Sequence, residues 1–449
     1  MSDSLRLLRY NTGTDKKAFV DFKQYFDAVI FNATIVAYSG SAVADLVSVH
    51  KNRFIIDPQT HIFQHKTTAI KAKNKNTGLL EVKKSVEKYL DEMPKGLSAI
   101  ILHEDRPADI SEIKAYEDDL VEMVYKFQNG FIDSFIEKKE YSKYLDFVGA
   151  GPKAKLLIAP YFMIKSEYSD DAISDWFALN RSALISFSNN YSSSSKIAAQ
   201  LVLDKRVLIK PNLRKLVIDT YSGDYCEYVF IWIDDFNSMS SNDAERLAFY
   251  NLLGAFRDIN KKPIMAYGGY ESIFLCHEGV ENRMYGVAQS VGYGEAREIT
   301  PVGGGLPVNK YYFYPLHQRL NFSDAASILN KAGFFDSSKS TRTRVNEYYK
   351  TICSCEECHL IIGDDINHFN RFNESTPFTF KKSGVKRNLP TADASLSAAK
   401  HFLWCKIREW DFIKKEELST IRKQLLDDMM YYDPSIEHSL KSWCELYAR

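Results

Sequence analysis

Apolar runs alternate with amphipathic, helix-forming stretches along much of this chain. Two β-branched runs, 28–36 and 53–57, come early, and the runs 155–161, 197–203, 228–233 and 263–267 are separated by segments in which apolar residues recur at helical spacing. This alternation is typical of βα units around a parallel sheet. The pattern predicts an α/β fold, a TIM (β/α) barrel whose last strand is the aromatic run 310–317.

Residues 66–142 interrupt that alternation with charged, helix-forming sequence. Such stretches are typical of solvated outer helices. We therefore expect helices inserted into the barrel over about this range, and the charge there indicates surface, not a nucleic-acid site.

Two of the predicted strands end in carboxylates. Asp57 closes the run 53–57, and Asp234 and Asp235 directly follow the run 228–233. Active-site residues of parallel barrels project from the carboxyl ends of the strands, so these three residues are predicted catalytic groups around one mouth. The alternatives are an Asp-Pro turn at Asp57 and a helix N-cap at the pair.

Other residues near predicted strand ends are candidates for substrate binding. Gly268 and Gly269 follow the run 263–267 and would let a ligand approach bare backbone before a helix N-terminus that favours anions. The segment 285–297 ends in Glu295 and Arg297, which would line the same mouth. An ordinary turn and a surface ion pair are the alternatives for these positions.

Three cysteines lie within six residues, at Cys353, Cys355 and Cys358. That spacing lets three thiolates converge on one tetrahedral zinc ion; the alternative is a loop of reactive cysteines without metal. A structural site needs a fourth ligand, and we prefer His401 because residues 395–410 have the pattern of a helix that would hold it rigidly.

The alternative fourth ligands are nearby in the sequence or on the same predicted helix. His359 would need a cramped chelate beside Cys358, and His368 would have to fold back from a predicted loop. Cys405, one turn after His401, is a spare candidate, although a lone helical cysteine is usually core packing.

The pattern Cys-x-Cys-x-x-Cys followed by a helical His resembles the zinc signature of the tRNA-guanine transglycosylase superfamily. The resemblance implies a TIM barrel, residues 1–345, followed by a zinc-binding and helical subdomain, residues 346–449. In that family the His follows sooner, so we predict an insertion over residues 370–391.

The same resemblance implies roles for individual residues. The stretch 57–64 is loosely similar to the family's Asp-Ser-Gly-Gly-Phe-Gln, without its glycines and with two extra residues, which implies that Asp57 moves protons at the target base and that Gln64 binds substrate. The family's nucleophilic Asp ends a strand with the sequence Met-Phe-Asp. The nearest match here ends in Gly286, so Asp234 or Asp235 would have to replace it.

The implied activity is that of a pentosyltransferase that exchanges guanine in nucleic acid for a 7-deazaguanine-type base through a carboxylate nucleophile. We favour DNA over tRNA, because motifs of the tRNA enzymes have drifted and no extra RNA-binding domain is recognised. Two other classes stay open. One is a non-catalytic barrel that binds nucleic acid or a partner, and the other is a metal-dependent hydrolase that uses the Asp234–Asp235 pair. Protein partners and a homo-oligomer also stay open.

Charge and composition narrow this picture. Lys plus Arg and Asp plus Glu number 58 each, which excludes a globally basic protein, so a nucleic acid would be held by local patches such as 339–344, Lys381–Lys382 and Lys386–Arg387. No stretch approaches the roughly 20 apolar residues of a membrane span. The start lacks an apolar signal core, and the cysteine usage suits a reducing compartment, so we expect a cytoplasmic protein.

Overall fold

The computed structural model describes residues 4–11, 13–49, 53–74, 77–131, 153–193, 195–234, 236–237, 241–291, 299, 308–380, 384–433 and 445. The chain divides into two compact units. The first comprises residues 1–11, 23–268 and 280–303, and the second comprises residues 12–22, 269–279 and 304–449. These units differ in extent from the domains 1–345 and 346–449 predicted from the sequence.

The first unit is built on a nearly closed barrel of eight parallel strands. The strands described in this unit, including three that are not part of the ring, are in chain order β1 (Leu5–Tyr10), β2 (Ala28–Asn32), β3 (Arg53–Asp57), β4 (Lys71–Lys73), β5 (Leu80–Val82), β6 (Lys153–Ile158), β7 (Met163–Ile164), β8 (Ile197–Asp204), β9 (Tyr228–Asp234), β10 (Lys262–Met265) and β11 (Gly286–Ser290). The ring runs β1-β2-β3-β6-β8-β9-β10-β11 and returns to β1. The structure thus supports the predicted α/β barrel architecture.

The barrel strands are apolar along nearly their whole length because both of their faces are buried. All residues of β2 and β11 are buried, for example, and parallel strands covered by helices are typically continuous hydrophobic runs. Inward-facing residues such as Leu7, Ile55 and Ile264 form one cluster inside the ring. The register between neighbouring strands therefore determines the height in the barrel at which each inward-facing polar side chain lies.

The ladder between β6 and β8 is one of the shortest in the barrel wall. Their ladder has two register pairs, Leu157 with Ile197 and Ile158 with Ala198. Beyond it, side-chain amides take the place of a strand partner: Gln128 bonds the N–H and carbonyl of Ile158, and Asn180 bonds those of Phe162. The seam is thus satisfied by side chains that come from outer helices.

Helices cover the barrel. In the first unit they are Ala33–Val49, Thr67–Ile70, Lys84–Leu90, Lys95–Leu102, Ile110–Ala115, Glu117–Gly130, Asp170–Tyr191, Leu213–Tyr221 and Asp243–Asp258. The last of these begins at a capping box, in which Asn242 and Glu245 satisfy each other's backbone N–H. The predicted insertion 66–142 contains five of these helices and the β4–β5 hairpin, and its residues 132–142 lie outside the described part.

Two strand predictions need correction, and two barrel strands were missed. The run 28–36 is not one strand, because β2 ends at Asn32 and a buried helix begins at Ala33; apolar periodicity does not separate a buried strand from a buried helix. The run 310–317 is not the last barrel strand. The barrel instead uses β1, which sequence patterning missed, and β11, whose Gly and polar residues made it resemble a loop.

The second unit contains short strands, seven α-helices and two 3-10 segments among its described residues, and one of the 3-10 segments is Tyr314–Leu316. Its strands are β12 (Lys310–Phe313), β13 (Gln318–Asn321), β14 (Ser375–Thr379) and β15 (Lys386–Pro390), paired as two separate antiparallel hairpins. Its helices are Gly13–Phe22, Tyr270–Phe274, Phe322–Lys331, Thr341–Thr351, Glu356–Ile362, Ala392–Lys415 and Leu418–Tyr432, with a 3-10 segment at Ile366–Asn373. Among the described helices, none has both the length and the apolar character needed to cross a bilayer.

Candidate functional site

The three cysteines and His401 converge in the second unit. All four side chains are buried, and their ligand atoms lie within 4.8 Å of one another. His401 Nδ1 is 3.3 Å from Cys355 Sγ, 3.4 Å from Cys358 Sγ and 4.0 Å from Cys353 Sγ. Tetrahedral zinc, with bonds of about 2.3 Å to sulfur and about 2.0 Å to nitrogen, holds its ligand atoms at similar separations. This group can hold a metal such as zinc.

Local structure explains why the cysteines converge. Cys355 is the N-cap of the helix Glu356–Ile362, and its Sγ accepts a hydrogen bond from the Cys358 N–H at 3.4 Å. The positive end of a helix dipole stabilises thiolates. The first turn of this helix thus presents two cysteine sulfurs towards one point, and His401 reaches that point from the helix Ala392–Lys415, called here the ligand helix.

Groups around the four ligand side chains prepare them for a metal. His401 Nε2 donates to the Tyr312 carbonyl at 2.8 Å, which leaves the lone pair on Nδ1 for the metal. Arg408 Nη1 donates to Cys353 Sγ at 3.4 Å, and the Tyr348 hydroxyl lies 3.4 Å from Cys358 Sγ. Three thiolates, a neutral imidazole and a divalent ion carry a net charge of −1, which the Arg408 cation offsets.

The alternative fourth ligands fit less well. His368 Nδ1 bonds the Ile362 carbonyl at 3.1 Å, and His359 is exposed and packs on the Tyr349 ring. Cys405 Sγ lies 3.9 Å from Cys353 Sγ, but it is nearly equidistant from the two ring nitrogens of His401, at 3.8 and 3.7 Å. Cys405 Sγ therefore lies beside the imidazole ring and not in the direction of the Nδ1 lone pair, where a metal would bind.

The thiols strongly affect the protonation of His401 when no metal is bound. Burial alone would lower the pKa of His401, but the neighbouring Cys355 and Cys353 raise it to about 10. Hydrogen bonds from Cys355 and Cys358 lower the pKa of Cys353. Burial raises the pKa of Cys358. Without metal, the cluster therefore holds an imidazolium beside the Cys353 thiolate, and a bound metal would replace the imidazolium proton.

Asp57 lies at the carboxyl end of β3, inside the barrel, and is fully buried. Its Oδ2 accepts from Arg9 Nη1 at 2.9 Å, and its Oδ1 accepts from the Tyr161 hydroxyl at 2.6 Å. Burial alone would raise the pKa of Asp57, but the charge of Arg9 and the hydrogen bond from Tyr161 outweigh it and lower that pKa. Asp57 is therefore an ionised carboxylate with a fixed orientation.

Arg9, on β1, is fully buried too and was missed by sequence patterning. Its guanidinium lies 4.3 Å from the centre of the Tyr267 ring, and its Nε donates to the Ala266 carbonyl at 3.2 Å. Nη1 bonds Asn32 as well as Asp57, whereas Nη2 has no hydrogen-bond partner among the described residues. The Nη2 group of the buried Arg9 cation can therefore still donate hydrogen bonds to a ligand.

The ladder registers place Gln200 in the same part of the barrel. The strand pairings, followed round the ring, give a shear of about eight residues. With this shear, one inward-facing layer contains one residue from each alternate strand: Arg9, Asp57, Gln200 and Ala266. Gln200 is buried, and neither amide atom has a partner among the described residues. These four residues are called the polar layer below. A polar residue inside an apolar strand run was the available sequence signal.

Asp234 ends β9, and because the barrel strands are parallel it lies at the same end as Asp57. Its Oδ1 accepts from the Ile299 N–H at 2.7 Å, and the Ile299 side chain packs in the cluster inside the barrel. Asp234 is in register with Asp204 on β8, a strand-end carboxylate that the sequence analysis overlooked. Asp235 lies outside the described residues.

Asp204 is bound by its own neighbours. Its carboxylate accepts hydrogen bonds from Ser166 and Arg206. Burial alone would raise the pKa of Asp204, but these hydrogen bonds and the charge of Arg206 lower it to about 2. The β8–β9 side of the mouth thus presents two neighbouring carboxylates beside one arginine.

The predicted substrate-binding residues differ in their surroundings. Gln64 is buried, and its amide bonds the Met163 backbone at both ends, at 2.6 and 3.0 Å. The Gly268 N–H donates to the Ala288 carbonyl at 3.2 Å, and Gly269 is the N-cap of a helix of five residues. Glu295 and Arg297 lie outside the described residues. The substrate contacts proposed for these positions stay predictions.

Gly286 does not occupy the place that the resemblance assigned to it. It begins β11 and pairs with Leu5, so it lies at the amino end of its strand. A Cβ there would meet Leu5 atoms at 3.0 Å, which explains the glycine by close packing. Ser290 ends β11, and a nucleophile at the strand end would have to occupy that position.

Two surface grooves in the first unit lie elsewhere. One, of about 550 Å³, lies between the helices Leu213–Tyr221 and Asp243–Asp258, and another, of about 410 Å³, lies at the amino ends of β8 and β9. Neither groove is lined by Asp57 or Asp234.

The fold and these clusters define a class: a parallel α/β barrel with a separate Cys₃His centre that can bind metal. In comparisons with known proteins, neither a protein-family model nor a curated sequence matches this chain.

Proposed function

We propose that this protein is a transglycosylase that exchanges guanine in nucleic acid, preferably DNA, for a 7-deazaguanine-type base. The observation that carries the proposal is the position of two carboxylates, Asp57 and Asp234, at the carboxyl ends of parallel strands of one barrel. Catalytic residues of such barrels come from that end. The Cys₃His cluster in a chain with this barrel supports the same assignment through the resemblance described above.

In this proposal Asp234, with Asp235 beside it in sequence, is the nucleophile. Its carboxylate attacks the anomeric carbon of the target nucleotide, the bond to guanine breaks, and guanine leaves as it takes a proton from water. The incoming base then gives a proton back to water, attacks the same carbon and releases the carboxylate. The bond made to the enzyme in the first step is broken in the second, so no oxidant or reductant is needed.

Asp57 acts as a positioning residue in this scheme. Its two oxygens are already occupied by Arg9 and Tyr161, and its lowered pKa disfavours proton uptake. It fixes the Arg9 guanidinium so that Nη2 and the Gln200 amide remain to bind the base. Guanine and its 7-deaza analogues present a carbonyl acceptor next to an N–H donor, which these groups can match.

Zinc would have a structural role. Four protein ligands leave no open coordination position, and such sites stabilise a fold and do not activate water. The metal would hold the helix Glu356–Ile362 to the ligand helix.

The test is exchange of labelled guanine into duplex DNA and into tRNA, combined with denaturing gels that detect a covalent adduct between protein and nucleic acid. We expect exchange and an adduct with the native protein, and loss of both in Asp234→Asn. Asp219→Asn, the same change at an exposed site on the helix Leu213–Tyr221, is the matched control and should keep both. An adduct that persists in both Asp234→Asn and Asp235→Asn would remove this assignment.

A non-catalytic, nucleic-acid-binding barrel is the second candidate. The saturated carboxylate of Asp57 and the serine at the end of β11 favour it. A chain that binds DNA tightly but forms no adduct and exchanges no guanine belongs to this class.

A further inference from the structure

The hairpin β14–β15 in the second unit is unusual because it is almost wholly exposed. Every residue of β14 is exposed, and among the described residues the two strands pair with each other alone. An isolated two-stranded hairpin is marginally stable in water. This one nevertheless exposes the apolar side chains of Phe378, at 46%, and Val385, at 44%.

The hairpin has a firm attachment. Its base is closed by the Thr391 N–H, which donates to the Glu374 carbonyl at 2.9 Å. Thr391 also caps the ligand helix through its hydroxyl, and the Phe372 ring before β14 lies 5.6 Å from the His401 ring. The turn is shaped by Gly384, whose φ of +66° suits glycine. The hairpin thus extends from the metal centre on a fixed base.

Its charge is all of one sign. Between residues 375 and 391 the sequence contains Lys381, Lys382, Lys386 and Arg387 and no Asp or Glu, in a chain whose formal net charge is zero. Lys386 and Arg387 are exposed, and neither forms an ion pair with a carboxylate among the described residues. Lys381 and Lys382 lie outside the described part.

The register separates two faces. Phe378 is opposite Arg387, and the rings of Phe378 and Phe380 are 5.0 Å apart on that same face. Thr379 is opposite Lys386 on the other face. The aromatic rings on one face suit stacking with bases. The cations, Arg387 on that face and Lys386 on the other, suit phosphates. A two-stranded ribbon also has the width to enter a DNA groove.

We propose that the β14–β15 hairpin is a nucleic-acid-binding arm, in which Lys386 and Arg387 contact phosphates and Phe378 stacks on a base. This inference rests on the proposed function only for the identity of the substrate. If exchange fails while hairpin-dependent binding persists, the proposed activity is wrong and the arm remains. If exchange proceeds without hairpin-dependent binding, the arm is wrong and the activity remains.

The test is fluorescence anisotropy of the full chain with a labelled 25-mer single strand and the matching duplex, across a salt series. We expect Lys386→Gln/Arg387→Gln to bind roughly 10- to 50-fold more weakly at 0.1 M salt. The slope of log K against log salt should fall by about two, because each phosphate contact contributes about 0.9. Phe378→Ser should weaken single-strand binding about 5-fold and leave the slope unchanged.

The matched control is Lys84→Gln/Lys114→Gln, which removes two exposed lysines from helices of the first unit and should leave affinity and slope unchanged. Zinc content is measured for each variant and should stay at one equivalent. Native affinity and slope in the hairpin variant, or an equal loss in the control, would overturn the proposal. So would tighter binding to vesicles rich in phosphatidylserine than to either nucleic acid.

Discussion

The metal centre and the polar layer of the barrel are both fully buried, yet their polar atoms are satisfied in different ways. At the metal centre each thiol and both imidazole nitrogens have neighbours that suit one ion. In the polar layer Asp57 is saturated, while Arg9 Nη2 and the Gln200 amide lack partners among the described residues. Buried polar groups cost free energy when unpaired, so the first cluster suits permanent structure and the second suits a molecule that comes and goes.

Removing a ligand residue of the Cys₃His centre should have the largest effect on stability. Cys358→Ser should abolish zinc binding and lower the free energy of unfolding by about 5 kcal/mol or more, because zinc binding contributes folding energy directly. Elemental analysis and calorimetry measure the two effects. Cys405→Ala, beside the centre but outside the ligand set, should keep one equivalent of zinc; its loss there would make Cys405 a ligand.

Removing one partner of the buried ion pair should have the next largest effect. Arg9→Met leaves the Asp57 carboxylate buried without its cation, which should cost about 3–5 kcal/mol in urea unfolding. The double variant Arg9→Met/Asp57→Leu should recover most of that loss. Arg257→Met, at an exposed ion pair, should change stability by less than about 1 kcal/mol. A loss as small as that control would mean that the Arg9–Asp57 pair does not hold the layer together.

The smallest expected effect on stability comes from replacing a buried amide that lacks hydrogen bonds, compared with one that has them. Gln200→Leu should leave stability unchanged or raise it by up to about 1 kcal/mol, because it removes unpaired polar atoms, while guanine exchange falls. Gln128→Leu, equally buried but bonded at both amide atoms to Ile158, should lose about 1–3 kcal/mol. Urea unfolding compares them, and equal losses would show that the Gln200 amide has partners after all.

How far each cluster could be predicted from sequence follows from how far apart its members lie. Cys353, Cys355 and Cys358 are six residues from end to end, so their chemistry was evident from spacing, and the pattern 395–410 supplied the helix for His401. The polar layer instead combines residues 9, 57, 200 and 266, and only the registers of closed strands bring them together. Asp57 was found because catalytic residues of such barrels follow a strand-end rule, whereas the only local signal for Gln200 was a polar residue within an apolar strand run.

The barrel was predicted in kind but not in every strand. Strands β3, β8 and β9 are uniform apolar runs and were placed nearly to the residue. β11 was missed because Gly286 and two polar residues interrupt its apolar pattern, although close packing against β1 requires the glycine. The position of β11 is therefore determined by tertiary packing and could not be predicted from hydrophobic periodicity.

The metal centre also bears on how the hairpin segment can vary. Cys358 and His401 are 43 positions apart, yet their ligand atoms are 3.4 Å apart. The entropy of closing such a loop rises only with the logarithm of its length, so doubling the segment would cost about 0.6 kcal/mol, little beside the free energy of binding zinc. A metal ion bound there would therefore act as an anchor, and the length of the intervening segment would have little effect on stability. The proposed binding arm could then be lengthened, shortened or exchanged while the fold that carries it stays the same.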